Sequence, residues 1–411
     1  MNCGRSLCMM TPAHGSWGVT KMAQILPESF ILFVGPAACG RHGALSASQQ
    51  SRKERAAYLA LSEADIVSGS YERAVVKGAD ELLTRLSAQE RMPKAVIVFV
   101  TCIDSLLGTD HEALLKELRE RHPGTAFTFC RMNPTTESSA APPKARVRDA
   151  VYQALSPRKK DRGVNLIGSM TPVCGEAAQV LASMGAAPMR QVPEFRRFDD
   201  FQAMAASRLN IVIAPMAVYT AQQMEKRLGI PWISALTSAD PGTVRGNYRK
   251  TAEALGVPCP DLSFYEKECE IQIEKAKSML GSRPVAIDGD AVPRPFDMAR
   301  SLLKLGFSVK RVSARNIPSD DEDLRFIEEH FPGVEIRPLL EPAEPAGDPE
   351  LLCIGLTSAY LSGSKHFVPF DGEPGLWGFS GIVRLMRELC AAAAAERDVR
   401  TETEKAGGAN G

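Results

Sequence analysis

Short apolar runs, each about as long as one buried strand, recur along this chain with helix-length segments between them. They fall at Phe30–Val34, Ala95–Val100, Val164–Ile167, Asn210–Ile213, Val285–Ile287, Val309–Val312 and Leu351–Ile354. The segments between them include amphipathic stretches such as HEALLKELRERH and AQQMEKRLG. This alternation predicts an α/β protein in which helices cover parallel sheets. A chain of 411 residues is too long for one hydrophobic core. Shifts in composition suggest where it divides. SPRKKDRG (156–163) is a charged linker ahead of the strand in GVNLIG, and GSRP (281–284) precedes PVAIDGD. LEPAEPAGDP (340–349) reads as a proline-rich surface loop inside the last unit. The expectation is three doubly wound domains at 1–160, 161–283 and 284–390, followed by a flexible C-terminal tail at 391–411.

Charge narrows the range of partners. Lys+Arg and Asp+Glu are both 49, so no bulk charge favours nucleic acid or an anionic membrane. No apolar stretch approaches the roughly 20 residues of a membrane helix, and the N-terminal segment lacks the apolar core of a signal peptide. A cytoplasmic protein is expected. In a reducing compartment the 10 cysteines are not a disulfide framework. No CxxC pair occurs, which argues against a zinc ribbon or a thioredoxin-like site. Cys130 and Cys353 sit within apolar runs and read as core.

Three cysteines stand elsewhere. In FVGPAACGRHG the apolar run ends at Gly35-Pro36, and Cys39 follows. In KAVIVFVTCIDSLLGTDHEALLKEL, Cys102 opens the loop after the strand at 95–100. Thr109-x-x-Glu112 then reads as a capping box for a helix buried through Leu114, Leu115 and Leu118. Cys8 lies in CMMTPAHGSWGV, an irregular segment with too few periodic apolar residues for core. Ligands of open α/β sheets bind beyond the carboxyl ends of strands, and helix N-termini favour thiolates. On the residues alone, each of these three is either a packing thiol or a metal ligand.

Taken in order, these segments resemble the nitrogenase component 1 superfamily. It includes the molybdenum–iron protein subunits, the dark-operative protochlorophyllide and chlorophyllide reductases, and the reductive cyclase of the nickel tetrapyrrole. GPAACG is similar to the family's Gly-Pro-x-x-Cys segment, and EADIVSGSYE to its Asp-Ile-Val-x-Gly element. TCIDSLLGTDHE resembles its cysteine segment ending in Gly-Asp-Asp, with Thr109-Asp110 in place of the acidic pair. LNIVIAPMAVYTAQQMEKRLGIPW and GLWGFSGIVRLM resemble later family segments. The resemblance implies three Rossmann-like domains around a central cleft. It also implies an iron–sulfur cluster, [4Fe–4S] or related, held by Cys8, Cys39 and Cys102 at a subunit interface. Thiolates suit such clusters because sulfur is soft.

The sequence departs from dinitrogen-reducing members at two positions. Where the resemblance places the cysteine and histidine ligands of the iron–molybdenum cofactor, this chain has Ala214 and Trp377. Neither can ligate iron, so no such cofactor is expected. In the tetrapyrrole reductases the same cavity takes an organic substrate. Ala214, Pro215, Met216 and Trp377 would suit a flat apolar ligand, and Arg41, His42, Lys365 and His366 could meet its carboxylates or move protons.

The resemblance therefore implies a nitrogenase-like iron–sulfur oxidoreductase subunit, paired with an identical or paralogous chain. It would receive electrons from an ATP-dependent iron–sulfur reductase and reduce a bound substrate, with a tetrapyrrole leading. One alternative is a non-catalytic scaffold for metallocofactor assembly. Another is a metal-free Rossmann-like binding protein with every cysteine in the core.

Overall fold

The structure is a computed structural model and describes residues 24–37, 39, 53–131, 142–314, 321–339 and 347–402. Its strands form three sheets, and every strand pair in them is parallel. The first sheet contains β1 (Ser29–Gly35), β2 (Ala56–Ala60), β3 (Ala95–Val100) and β4 (Ala126–Arg131), in the spatial order β2-β1-β3-β4. Its helices are α1 (Glu63–Val67), α2 (Tyr71–Ala88), α3 (Cys102–Leu107), α4 (His111–Arg121) and α5 (Pro143–Tyr152). β1 and β3 are buried along their whole length. Successive strand residues point to opposite faces, so alternate residues of the two strands enter separate cores. Phe30, Leu32, Val34, Val96, Val98 and Val100 pack with α2 and α4. Ile31, Phe33, Ile97 and Phe99 join a cluster that continues into the second sheet.

The second sheet holds β5 (Val164–Ile167), β6 (Met189–Arg190), β7 (Leu209–Val212) and β8 (Trp232–Ser234), ordered β6-β5-β7-β8. Helices α6 (Ala177–Ser183), α7 (Phe198–Gln202), α8 (Val218–Leu228), α9 (Pro241–Leu255) and α10 (Ser263–Leu280) belong to this stretch. The third sheet is β11-β10-β9-β12-β13, from β9 (Val285–Asp288), β10 (Val309–Ala314), β11 (Glu335–Pro338), β12 (Leu352–Ile354) and β13 (Phe367–Val368). Its helices are α11 (Pro295–Lys304), α12 (Glu322–His330), α13 (Leu356–Ser362) and α14 (Phe379–Ala394). The parallel α/β architecture expected from the sequence is what the chain adopts.

One apolar cluster runs from Val164 to Ala392 and unites the second and third sheets, with α10 and α14 packed together inside it. Glu176 fixes the start of α14. One of its carboxylate oxygens accepts from Phe379 N and Tyr248 Oη, and the other accepts from Ser380 N. These bonds satisfy N–H groups that a helix N-terminus leaves without partners.

Three local expectations change. The helix of residues 111–121 starts at Asp110, whose carboxylate accepts from Glu112 N and Ala113 N, and Thr109 is not its cap. Cys102 opens a helix, not a loop. α14 continues to Ala394, beyond the start expected for the tail, because Ala392 is fully buried. The charged linker is exposed and irregular over 156–162. Most of LEPAEPAGDP, at 340–346, lies outside the described residues.

Candidate functional site

In each sheet the strand order reverses once, and the crevice at such a reversal is where open α/β sheets take ligands. In the first sheet it lies between β1 and β3. Cys39 follows β1, Cys102 follows β3, and β1 pairs in register with β3 from Ser29↔Ala95 to Val34↔Val100. Gly35 allows the two strand ends to approach. A Cβ there would fall 2.6 Å from Thr101 Cγ2, too close for any other residue without movement. A turn closed by Cys39 N donating to Pro36 O at 2.9 Å carries the chain off the strand. Cys39 is exposed and Cys102 half-buried. Cys102 is the first residue of α3, with Thr101 as its N-cap. Cys130, Cys269 and Cys353 differ in being buried. Burial pushes the Cys353 thiol up to about 12 and the Cys269 thiol likewise to about 12, and it raises Cys130 further. Such thiols are inert packing groups.

Two soft donors at neighbouring strand ends, one exposed and one half-buried, fit an iron–sulfur group, but they are too few to complete a site. Among the described residues no set of three or more histidine, cysteine, aspartate or glutamate side chains could hold a metal. Cys8, Arg41 and His42 lie outside the described residues. Exposed apolar side chains follow Cys102 on α3, where Leu106 is 84% exposed and Leu107 38%, and Val67 at the end of α1 is 86% exposed.

At the second reversal, between β5 and β7, the crevice is packed shut. A Cβ on Gly168 would lie 2.7 Å from Ala214 N, and Ala214 is fully buried. Trp377 is 1% exposed. Its Nε1 donates to Ala235 O at 2.7 Å, and its ring meets Tyr248 edge-on at 5.0 Å. The flat wall expected from Ala214 and Trp377 is thus core. The void beside them, between Gly168, Ile213 and Leu376, measures about 20 Å³, room for about one water. His366 stands at the amino end of β13, opposite the ligand-binding edge, with Nδ1 at 2.8 Å from Ala392 O. Lys365 pairs with Glu396 at 3.0 Å.

The expected central cleft is present elsewhere. A cavity of about 670 Å³ is walled by Arg55 from the first sheet's segment, Met170 and Arg196 from the second, and Phe370 and Arg384 from the third. It opens at the amino ends of β1 and β2, so the seven residues of β1, about 23 Å of strand, separate it from the cysteine edge. Sequence reasoning missed Arg384 here, and it missed Asp104 and His111 beneath α3. The available signal for the last two was an acid inside CIDSLL that the helical face leaves pointing inward.

The sequence pattern of nitrogenase component 1 type oxidoreductases matches residues 15–394. A nitrogenase iron-molybdenum cofactor biosynthesis protein, NifE, of Clostridium pasteurianum is 23% identical over 323 residues, covering 73% of this chain and 67% of that protein. The NifE of a Nostoc species is 27% identical over 214 residues, 48% of this chain and only 42% of that protein. Among solved structures, nitrogenase Cp1 at pH 6.5 matches with a TM-score of 0.72 at 16% identity, covering 96% of this chain and 95% of that one. Nitrogenase Cp1 at pH 5 matches with a TM-score of 0.56 at 14% identity, over 94% of this chain and 88% of that one. The solved structures share the fold. Among the described residues no helix is long and apolar enough to cross a membrane.

Proposed function

Because this chain belongs to the nitrogenase component 1 type oxidoreductases, we propose that it is a scaffold subunit on which a metallocofactor is assembled, not the subunit that reduces substrate. The carrying observation is the packed crevice at Ala214 and Trp377. The family resemblance places two cofactor ligands there, and this chain supplies a buried methyl and an indole already bonded to Ala235 O. The likeness to cofactor biosynthesis proteins supports the same reading. A tetrapyrrole bounded by these residues has no room in a void of about 20 Å³.

In this reading Cys39 and Cys102, with Cys8, hold a resident iron–sulfur cluster at the carboxyl edge of the first sheet. Bound there, the cluster would supply one-electron redox chemistry. The chain's own residues do the placing. Gly35 brings the strand ends together, and the turn at Pro36 lifts Cys39 off the sheet. Thr101 and α3 aim Cys102, and Leu106, Leu107 and Val67 offer the apolar rim that an identical or paralogous subunit would cover. An ATP-dependent reductase supplies electrons from outside, since the chain has no GxxxxGK[ST] phosphate loop. The cavity of about 670 Å³ would receive the metallocofactor as cargo.

The test is anaerobic purification with iron and sulfide analysis, followed by two assays side by side. Wild type is expected to carry iron, Cys39→Ala and Cys102→Ala to lose most of it, and Cys353→Ala to keep it. Full iron in Cys39→Ala would remove the ligand assignment. Loaded protein should pass metallocofactor to an apo acceptor and show no ATP-dependent turnover. Catalytic reduction of a tetrapyrrole would instead establish the substrate-reducing reading, and acetylene or dinitrogen reduction would refute the argument from Ala214 and Trp377.

A further inference from the structure

We propose that Asp104 and His111 form a strut that sets the direction of Cys102, with Asp104 as a positioning residue for the ligand there. Its role toward a metal rests on reading Cys102 as a ligand. α3 has six residues, too few to hold itself in helical form. Its leucines dock it poorly, because Leu106 is 84% exposed and Leu107 38%. The buried side chain of α3 is an acid: Asp104, 1% exposed.

Asp104 Oδ2 accepts from His111 Nε2 at 2.7 Å, and Asp104 O accepts from Thr109 Oγ1 at 3.3 Å. His111 is the first residue of α4, and its ring stands edge-on to Phe129 of β4 at 5.2 Å. The strut therefore runs from the Cys102 helix through α4 to the sheet. Tyr71, at the start of α2, is buried beside the same carboxylate. Asp104 Oδ1 has no hydrogen-bond partner in acceptable geometry among the described residues. A carboxylate left half-satisfied is a poor source of stability. A short hydrogen bond, however, fixes the rotation of α3 as well as its distance, which apolar contact does not. That rotation decides where the Cys102 side chain points.

The experiment is residue-resolved alkylation of the iron-free full chain, with exposed Cys174 near the second sheet as internal reference. The Asp104→Leu/His111→Leu double variant removes both partners of the 2.7 Å bond together, and the neighbouring Tyr71 Oη, without a hydrogen-bond partner in the wild type as well, loses none, with retention of the fold checked by circular dichroism. The rate ratio of Cys102 to Cys174 is expected to rise by about fivefold or more, the rate equivalent of one lost hydrogen bond. Asp104→Asn keeps an acceptor and should restore the wild-type ratio, and the Cys39 ratio should stay unchanged throughout. An unchanged Cys102 ratio in the double variant overturns the proposal. So does an equal rise at Cys39, which would mean general loosening of the sheet edge. In anaerobically loaded protein the double variant should also shift the paramagnetic resonance spectrum of the cluster, and Asp104→Asn should not. Iron-free wild type would sink the ligand reading alone, because alkylation reports the thiol's position whether or not metal binds.

Discussion

Asp288 sits at the reversal point of the third sheet, where the carboxyl ends of β9 and β12 meet. Its Oδ2 accepts from Thr357 N at 2.9 Å and Ser358 N at 3.1 Å, and its Oδ1 accepts from Asp290 N at 2.8 Å. The chain thus fills this crevice with a carboxylate of its own. Burial pushes Asp288 up to about 7 against these donors, and it pushes Asp297 up to about 6 against Arg294. Between about pH 4 and 7 the folded state then binds more protons than the unfolded one, so stability falls as pH rises across that window. Asp161, held below its usual range by its hydrogen bonds to Arg190, acts in the opposite direction, and its contribution is complete by about pH 5, where the unfolded group has ionised as well. Denaturation midpoints should fall from about pH 5 to about pH 7.5, and Asp288→Asn should give a shallower fall. An identical slope in the variant would show that Asp288 is not the source. At this scale the sequence was readable where context is local: Cys353 in ELLCIGL is core, as its apolar neighbours imply. Trp377 was not readable, because nothing in GLWGFSG tells that Ala235 O, 142 positions away, lies within reach of its N–H.

Among the elements, β1 and β3 carry the most consequence, since Cys39 and Cys102 follow their ends. Gly35→Ala would place a methyl 2.6 Å from Thr101 Cγ2 and force the strand ends apart. A loss of about 1–3 kcal/mol in stability is expected from such overpacking, together with reduced iron retention in anaerobic preparations. Wild-type iron with wild-type stability would mean that the strand ends need no close approach. Most strands named from sequence are buried on both faces, where unbroken apolar runs stand out, and β10, with Lys310 exposed, is the exception. β2, half-exposed at the sheet edge, and the two-residue β6 and β13 gave no such run. They exist because a longer neighbour offers them a ladder. Likewise the start of α4 passed from Thr109 to Asp110, since both residue types can cap and only the backbone path selects one.

For the whole molecule, the cysteine edge and its apolar rim belong to the same face, so association and metal retention should change together. Leu106→Asp is expected to weaken pairing of the loaded protein in sedimentation while moving its own stability by no more than about 0.5 kcal/mol, as for other surface changes. A loaded wild type that sediments as a monomer would contradict this. The cluster uniting the second and third sheets carries a further consequence, for the order of synthesis. Val164 and Leu166 wait for partners that include Leu389 and Ala392. Glu176 likewise remains without the N–H groups of Phe379 and Ser380 until α14 has been made. The first sheet has an apolar face of its own with α2 and α4, complete by Phe129. On the ribosome it can begin to fold early, and its other face can pack with residues up to Ile230, whereas the cluster joining the second and third sheets stays open until α14 has been made. Nascent chains stalled near residue 370 should therefore resist protease in their first part and be cut most readily beyond residue 230.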